Sequence, residues 1–260
     1  MSIVSLIAPK VFGTEGSLVA CSPHVQQQRT TLFKRVTHRT MRCSVSQKCD
    51  HLVKVCGVVS PEDAAFAASE GADLIGMILW PKAGRSVSLE TARNIAAAAK
   101  KHGSRAVGVF VEETAEAIVE TCEEVGIDIA QLHGDVARSA FASLPLDLQV
   151  IYVVHADSNG EVQTDVSGLE RRPDWFLVDS LKGGSGMRFD WESLRPPTFS
   201  QHGWLLAGGL THDNVASAIE IARPDGVDVS SGVCNDTKLA KDPSKVSSYV
   251  QRAQRAFEEN

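Results

Sequence analysis

The sequence predicts an α/β fold of the (β/α)8 type, a TIM barrel formed as a single domain. Three observations predict it. From residue 52 onward short β-rich runs alternate with amphipathic stretches, eight such runs can be counted, and the glycine clusters follow the last three of them. A dinucleotide-binding open sheet would carry its G-x-G-x-x-G after the first strand, whereas phosphate binding by late βα loops is a habit of barrels.

Taken in order, the strand runs are residues 52–57 (LVKVCG), 73–79 (DLIGMIL), 105–110 (RAVGVF), 128–132 (DIAQL), 148–154 (LQVIYVV), 174–178 (DWFLV), 203–207 (GWLLA) and 226–229 (GVDV). Helix starts support the count. Ser60-Pro61-Glu62-Asp63 offers a capping hydroxyl, a first-turn proline and early acids ahead of the apolar run Ala64, Ala65, Ala68. Ser88-Leu89-Glu90 and Thr211-His212-Asp213 repeat the device. The fifth unit is the weakest: residues 155–173 are polar and rich in Gly and Asp, so its helix is expected to be short or missing.

At 260 residues and 43% hydrophobic content the chain can bury a full core. The net charge of -6 hides an asymmetry, since residues 1–48 carry seven Lys/Arg and one Glu, and the remainder nineteen Lys/Arg and thirty-one Asp/Glu. An acidic body lacks the basic stripe that a nucleic-acid groove needs, so small-molecule chemistry is expected. The first 48 residues are rich in Ser, Thr and Arg and have no apolar run long enough to span a bilayer. They read as a transit peptide or a disordered extension, followed by the catalytic barrel at 49–260. Six cysteines show no C-x2-C pair and no histidine spacing suited to zinc, so no metal is expected. Cys122 falls on a helical apolar face with Ile118 and Val125 and reads as a small buried hydrophobe.

Alternation along the first strand places Leu52, Lys54 and Cys56 on one face and Val53 and Val55 on the other. The valines suit packing against outer helices, which turns Lys54 and Cys56 inward, with Cys56 at the carboxyl end where barrel active sites lie. By itself a cysteine there more often serves packing than chemistry. In the sixth strand Trp175, Leu177 and Asp179 share a face, and Asp179 either points a carboxylate at the same mouth or caps the loop Ser180–Gly186. Three glycine-rich sets follow the late strands: Gly183-Gly184-Ser185-Gly186, Gly208-Gly209 and Ser230-Ser231-Gly232. Glycines let main-chain N–H groups approach an anion closely, so their convergence on one sector points to phosphate.

These residues resemble one family along residues 53 to about 250. Lys54-Val55-Cys56-Gly57 followed by Pro61-Glu62-Asp63-Ala64, Gly71-Ala72-Asp73, Val107-Gly108-Val109-Phe110-Val111 and Gln131-Leu132-His133-Gly134-Asp135 carry the first half of the likeness. Gly183-Gly184-Ser185-Gly186 with Phe189-Asp190-Trp191, Ala207-Gly208-Gly209-Leu210, Asp213-Asn214-Val215 and Val227-Asp228-Val229-Ser230-Ser231-Gly232-Val233 carry the second. The likeness is to the phosphoribosylanthranilate isomerases. It implies an Amadori rearrangement of a phosphosugar without a cofactor, in tryptophan biosynthesis. A small phosphosugar is the expected partner, with no nucleic acid and no membrane, and the chain is expected to be a monomer or homodimer. The likeness implies Asp179 as general acid and Cys56 as general base. Arg85 matches the arginine that holds the anthranilate carboxylate, although Ser86 follows it where relatives tend to carry an aromatic residue.

Asp228 faces inward with Ser230 and either orients substrate or is structural. His133 is expected to shape the site, since nothing in the sequence pairs it, and Cys234 reads as a bystander. Lys54, on the face of Cys56, is expected to favour its thiolate, and Trp175 and Leu177 to favour the protonated form of Asp179. The family works in aromatic amino-acid synthesis, which in plants is plastidic, so the chloroplast stroma is the expected location. Competing readings at this level are other phosphosugar barrels, indole-glycerol-phosphate synthase and the histidine-pathway isomerase, and a non-catalytic phosphate sensor.

Overall fold

The computed structural model describes residues 51–181 and 190–260. The N-terminal extension and the Gly183–Gly186 cluster, with the expected ligands Gly184, Ser185 and Gly186, lie outside the described residues. The eight strands are β1 (Leu52–Val55), β2 (Leu74–Ile78), β3 (Arg105–Phe110), β4 (Ile129–Leu132), β5 (Gln149–Ala156), β6 (Trp175–Ser180), β7 (Trp204–Leu206) and β8 (Gly226–Val229). All pair in parallel with their sequence neighbours, and β1 also pairs with β8 (Lys54 opposite Asp228), which closes the barrel.

Alternation along the strands divides the core in two. Leu74, Val107, Ile129, Ile151, Val153, Trp175, Leu177 and Leu205 fill the barrel interior. The intervening residues, among them Val53, Val55, Ile75 and Phe176, pack outward against the helices. Each strand is buried on both faces, which is why the strand runs read as nearly continuous apolar segments.

Six α-helices lie among the described residues: α1 (Pro61–Ser69), α2 (Leu89–Lys101), α3 (Ala115–Val125), α4 (Asp135–Ser139), α5 (Val215–Ala222) and α6 (Pro243–Glu259). Ser60 and Ser88 cap α1 and α2 by accepting from the N–H groups of Asp63 and Thr91, as expected. Cys122 is buried on α3 beside Ile118 and Val125, also as expected. The expected start at Thr211 is corrected: α5 begins after Asn214, whose Oδ1 accepts from the Thr211 N–H (2.8 Å) and whose Nδ2 donates to the Gly209 carbonyl (2.9 Å). Asn214 thus braces a glycine loop of the mouth.

No helix follows β5. The chain from Asp157 to Asp174 is irregular and folds back through a single bridge, Ala156 opposite Val162. A polar segment without a 3.6-residue apolar stripe has no face to bury against the barrel, so the strand-to-strand crossover is made by a loop.

Candidate active site

The mouth is built at the carboxyl ends of β1, β6, β7 and β8. One cavity there is lined by Asp179, Gly208, Gly209, Asp228, Ser230, Ser231 and Gly232, which brings together most of the site residues expected from the sequence. Gly208 and Gly209 adopt left-handed backbone (φ 80° and 67°), a conformation that side chains resist, and this turns main-chain groups toward the cavity. Ser231–Val233 forms a 3₁₀ turn, and a Cβ on Gly232 would lie 1.9 Å from the Leu210 carbonyl oxygen, so the two loops touch only because that position is glycine. Two glycine-bearing loops in contact with each other along one cavity make a cradle suited to an anion.

Asp179 lies within β6 instead of after it, opposite His155 of β5. Asp179 is buried, and its Oδ1 accepts the N–H of Ser180 at 2.8 Å. Oδ2 lies 3.6 Å from His133 Nε2, so His133 at the end of β4 has a partner that the sequence did not reveal. His155 meets His133 edge to face, with ring centroids 5.5 Å apart. Burial, followed by the neighbouring His133 and Arg138, pushes the His155 imidazole below its ordinary value. Trp175 and Leu177 continue the face of Asp179 into the apolar interior.

Cys56 follows β1 and is buried, and its N–H still donates to Val229 at 2.8 Å. Its thiol packs over Gly76 of β2: a Cβ on Gly76 would lie 2.6 Å from Cys56 Sγ. Gly76 shares the inward face of Leu74, so the thiol points into the barrel as alternation predicts.

Lys54 is fully buried and bonded to Asp228 Oδ1 at 2.8 Å. Burial works to lower its ammonium, but Asp228 and then Cys56 outweigh burial and hold it above its ordinary value. Asp228 therefore serves the barrel interior through Lys54 while also facing the cavity.

Arg85, in the loop between β2 and α2, is half-buried. Its guanidinium reaches Cys234 Sγ (3.5 Å) and lies against Gly57, where a Cβ would approach within 2.7 Å of it. Cys234 is thus corrected from a bystander to a contact of Arg85; its thiol also donates to the Ser230 carbonyl at 3.4 Å. Lys241 was missed altogether. It is buried beneath Cys56 and Ser230, and no motif in the sequence marks a lysine in a polar loop for burial.

A roomier cavity of about 720 Å³ lies to one side, where the helix after β5 is absent, and is lined by Arg138, Tyr152, His155 and Arg171 among others. Its arginines already have partners: Arg138 donates to the His133 carbonyl and contacts Asp135, and Arg171 donates to Leu144 and stacks on Phe141. It lacks the paired glycine loops and the carboxylate of the mouth, so the smaller cavity is the better site for phosphosugar chemistry.

Residues 53–252 match the family model described as N-(5'phosphoribosyl)anthranilate (PRA) isomerase. The chain belongs to the phosphoribosylanthranilate isomerase family. It is 42% identical over 239 residues to the chloroplastic N-(5'-phosphoribosyl)anthranilate isomerase 1 of Arabidopsis thaliana, covering 85% of this chain and 87% of that one. The phosphoribosyl anthranilate isomerase of Thermus thermophilus superposes with a TM-score of 0.68 at 26% identity, covering 78% of this chain and 98% of that one. Another isomerase of the family, solved in complex with reduced 1-(o-carboxyphenylamino)-1-deoxyribulose 5-phosphate, gives a TM-score of 0.59 at 30% identity over 79% of this chain and 99% of that one. The closed eight-stranded barrel described above is the fold of the family, and the chain is an isomerase of tryptophan biosynthesis.

Proposed function

We propose that, in isomerising N-(5-phosphoribosyl)anthranilate to 1-(2-carboxyphenylamino)-1-deoxyribulose 5-phosphate, this barrel uses Asp179 as general acid and Cys56 as general base. Asp179 gives its proton to the furanose ring oxygen as the C1′–O bond breaks, and the anilino nitrogen lone pair forms the C1′=N bond of a Schiff base. The Cys56 thiolate then takes the C2′ proton, the electrons pass to nitrogen, and the resulting enolamine moves its hydroxyl proton to C1′ to give the ketone. The observation that carries this reading is the shared mouth: the Asp179 carboxylate, the Gly208-Gly209 loop and the Ser230–Gly232 turn line one cavity, and Cys56 follows β1, the strand paired with β8.

In this reading Gly208, Gly209, Ser231 and Gly232 hold the phosphate through main-chain donors, with Gly184, Ser185 and Gly186 as further ligands. Arg85 holds the anthranilate carboxylate, and its contact with Cys234 aims it. Lys54 stands beside Cys56 on the inward face of the barrel, where Cys56, after Asp228, helps to hold the Lys54 ammonium above its ordinary value. The Arabidopsis relatives are chloroplastic. We place this chain in the plastid stroma after removal of residues 1–48, which a fusion of those residues to a fluorescent reporter would check.

The activity is tested by adding the purified protein to freshly generated phosphoribosylanthranilate. Rapid loss of substrate fluorescence is expected; folded protein that leaves the fluorescence unchanged would contradict the reading.

A further inference from the structure

At the mouth, the first and last strands are tied together by one ammonium. Lys241 lies between the Ser231–Val233 turn and α6 and is 5% exposed. Its Nζ donates to the carbonyl of Cys56 at 2.6 Å and to that of Ser230 at 3.0 Å, and it lies 3.6 Å from Cys234 Sγ. The Ser230 hydroxyl adds a second tie across the same seam, donating to the Cys56 carbonyl at 3.1 Å. Three acceptors match the three N–H donors of an ammonium, one more than a neutral amine supplies.

Buried charges are ordinarily paired with an opposite charge, as Lys54 is with Asp228. Lys241 is not: among the described residues, none of the ion pairs involves it. A costly buried charge directed at two main-chain carbonyls gains little through pairing and much through geometry. Its own backbone is fixed, since the Lys241 N–H donates to Asp63 Oδ2 of α1 (3.0 Å) and Lys241 bridges to Cys234. The side chain is therefore launched from a rigid frame toward the two carbonyls.

We propose that Lys241 is a positioning residue that sets the main chain of Cys56 against the Ser230–Gly232 turn. It thereby fixes the distance between the proton-abstracting thiol and the phosphate cradle. The inference rests on the roles given to Cys56 and to that turn in the proposed function. Since a misplacement of about 1 Å costs on the order of 100-fold in rate, the clamp acts on turnover more than on binding.

The test compares Lys241→Gln and Lys241→Met with the parent. The expected result is a fall in kcat of roughly 10- to 100-fold, with KM and inhibition by inorganic phosphate within about threefold of the parent values. Lys241→Arg, which keeps charge and donors, should recover part of kcat. A parental kcat in the neutral variants, or a fall no larger than their loss of folded protein by near-ultraviolet circular dichroism, would overturn the proposal. Should neither neutral variant fold, Asp63→Ala decides, because it frees the Lys241 backbone from a half-buried position; kcat should fall at unchanged KM, and an unchanged kcat would overturn the clamp. Cys56→Ala is run alongside. If it keeps parental turnover the base assignment has failed, whereas if it is inactive and Lys241→Gln is parental only the positioning role has.

Discussion

Asp179→Asn is expected to lower kcat/KM by about 10²- to 10⁴-fold, the range of a lost general acid, with little change in stability. The amide keeps the oxygen that accepts the Ser180 N–H at 2.8 Å, so the end of β6 retains its backbone geometry. What the substitution removes is the carboxyl group beside His133 to which the proposed mechanism assigns the proton transfer. Cys56→Ala should produce a fall of the same order through the second step, because no other described thiol replaces it: Cys122 lies on α3 facing the core, and Cys234 is committed to Arg85, Lys241 and the Ser230 carbonyl. Turnover measured with circular dichroism on the same samples separates chemistry from folding. If either variant kept parental kcat/KM, its assigned proton transfer would be wrong.

The second large effect concerns stability. Asp228→Asn leaves Lys54 as a fully buried ammonium facing a neutral amide, and breaking a buried pair from one side costs about 3–5 kcal/mol. For a domain of this size each kcal/mol corresponds to roughly 2–4 °C in Tm, so calorimetry should show a drop well outside error. Replacing both partners, as in Lys54→Met with Asp228→Leu, should recover much of the loss, since removing the whole pair removes the desolvation cost with it. The pH dependence follows from the direction of the Lys54 shift. Its value is raised above 10.5 in the fold, so the pair contributes fully below an unfolded-chain value of about 10.4 and loses its contribution only as alkali carries the pH through the raised value. The parent should accordingly lose stability in strong alkali, and the double variant should lose less. Identical alkaline profiles would show that Lys54 does not carry the effect.

Much of the fold was legible because a strand buried on both faces leaves a continuous apolar run, and a hydroxyl before a proline or an acid marks a helix start. Errors arose where tertiary contacts override those signals. His155 and Ala156 prolong β5, and Asp179 and Ser180 prolong β6, because the two strands pair beyond the last valine of each apolar run. A polar residue at the mouth of a barrel is a strand residue for the ladder and a site residue for the chemistry, and hydropathy sees neither. The irregular fifth crossover was legible as a missing apolar stripe.

The site divides along the same line. Cys56, Asp179 and the glycine loops were visible through alternation and clustering near strand ends. The contacts of His133 with Asp179, of Arg85 with Cys234, and of Lys241 with Cys56 join residues 46, 149 and 185 positions apart. Closure of β1 against β8 creates the last of them, and no local pattern encodes a pairing made by barrel closure. Lys241 in particular sits in a polar stretch whose composition points to solvent, yet it lies under the mouth.

The most direct test of the account is a crystal structure of this protein with reduced 1-(o-carboxyphenylamino)-1-deoxyribulose 5-phosphate, the ligand carried by a solved relative. The account predicts the phosphate at the main-chain N–H groups of Gly208-Gly209 and Ser231-Gly232, C2′ within about 3.5 Å of Cys56 Sγ, and the sugar oxygen that closes the furanose ring facing Asp179. A ligand seated with its phosphate in the side cavity of Arg138 and Arg171, or with C2′ turned away from Cys56, would contradict it.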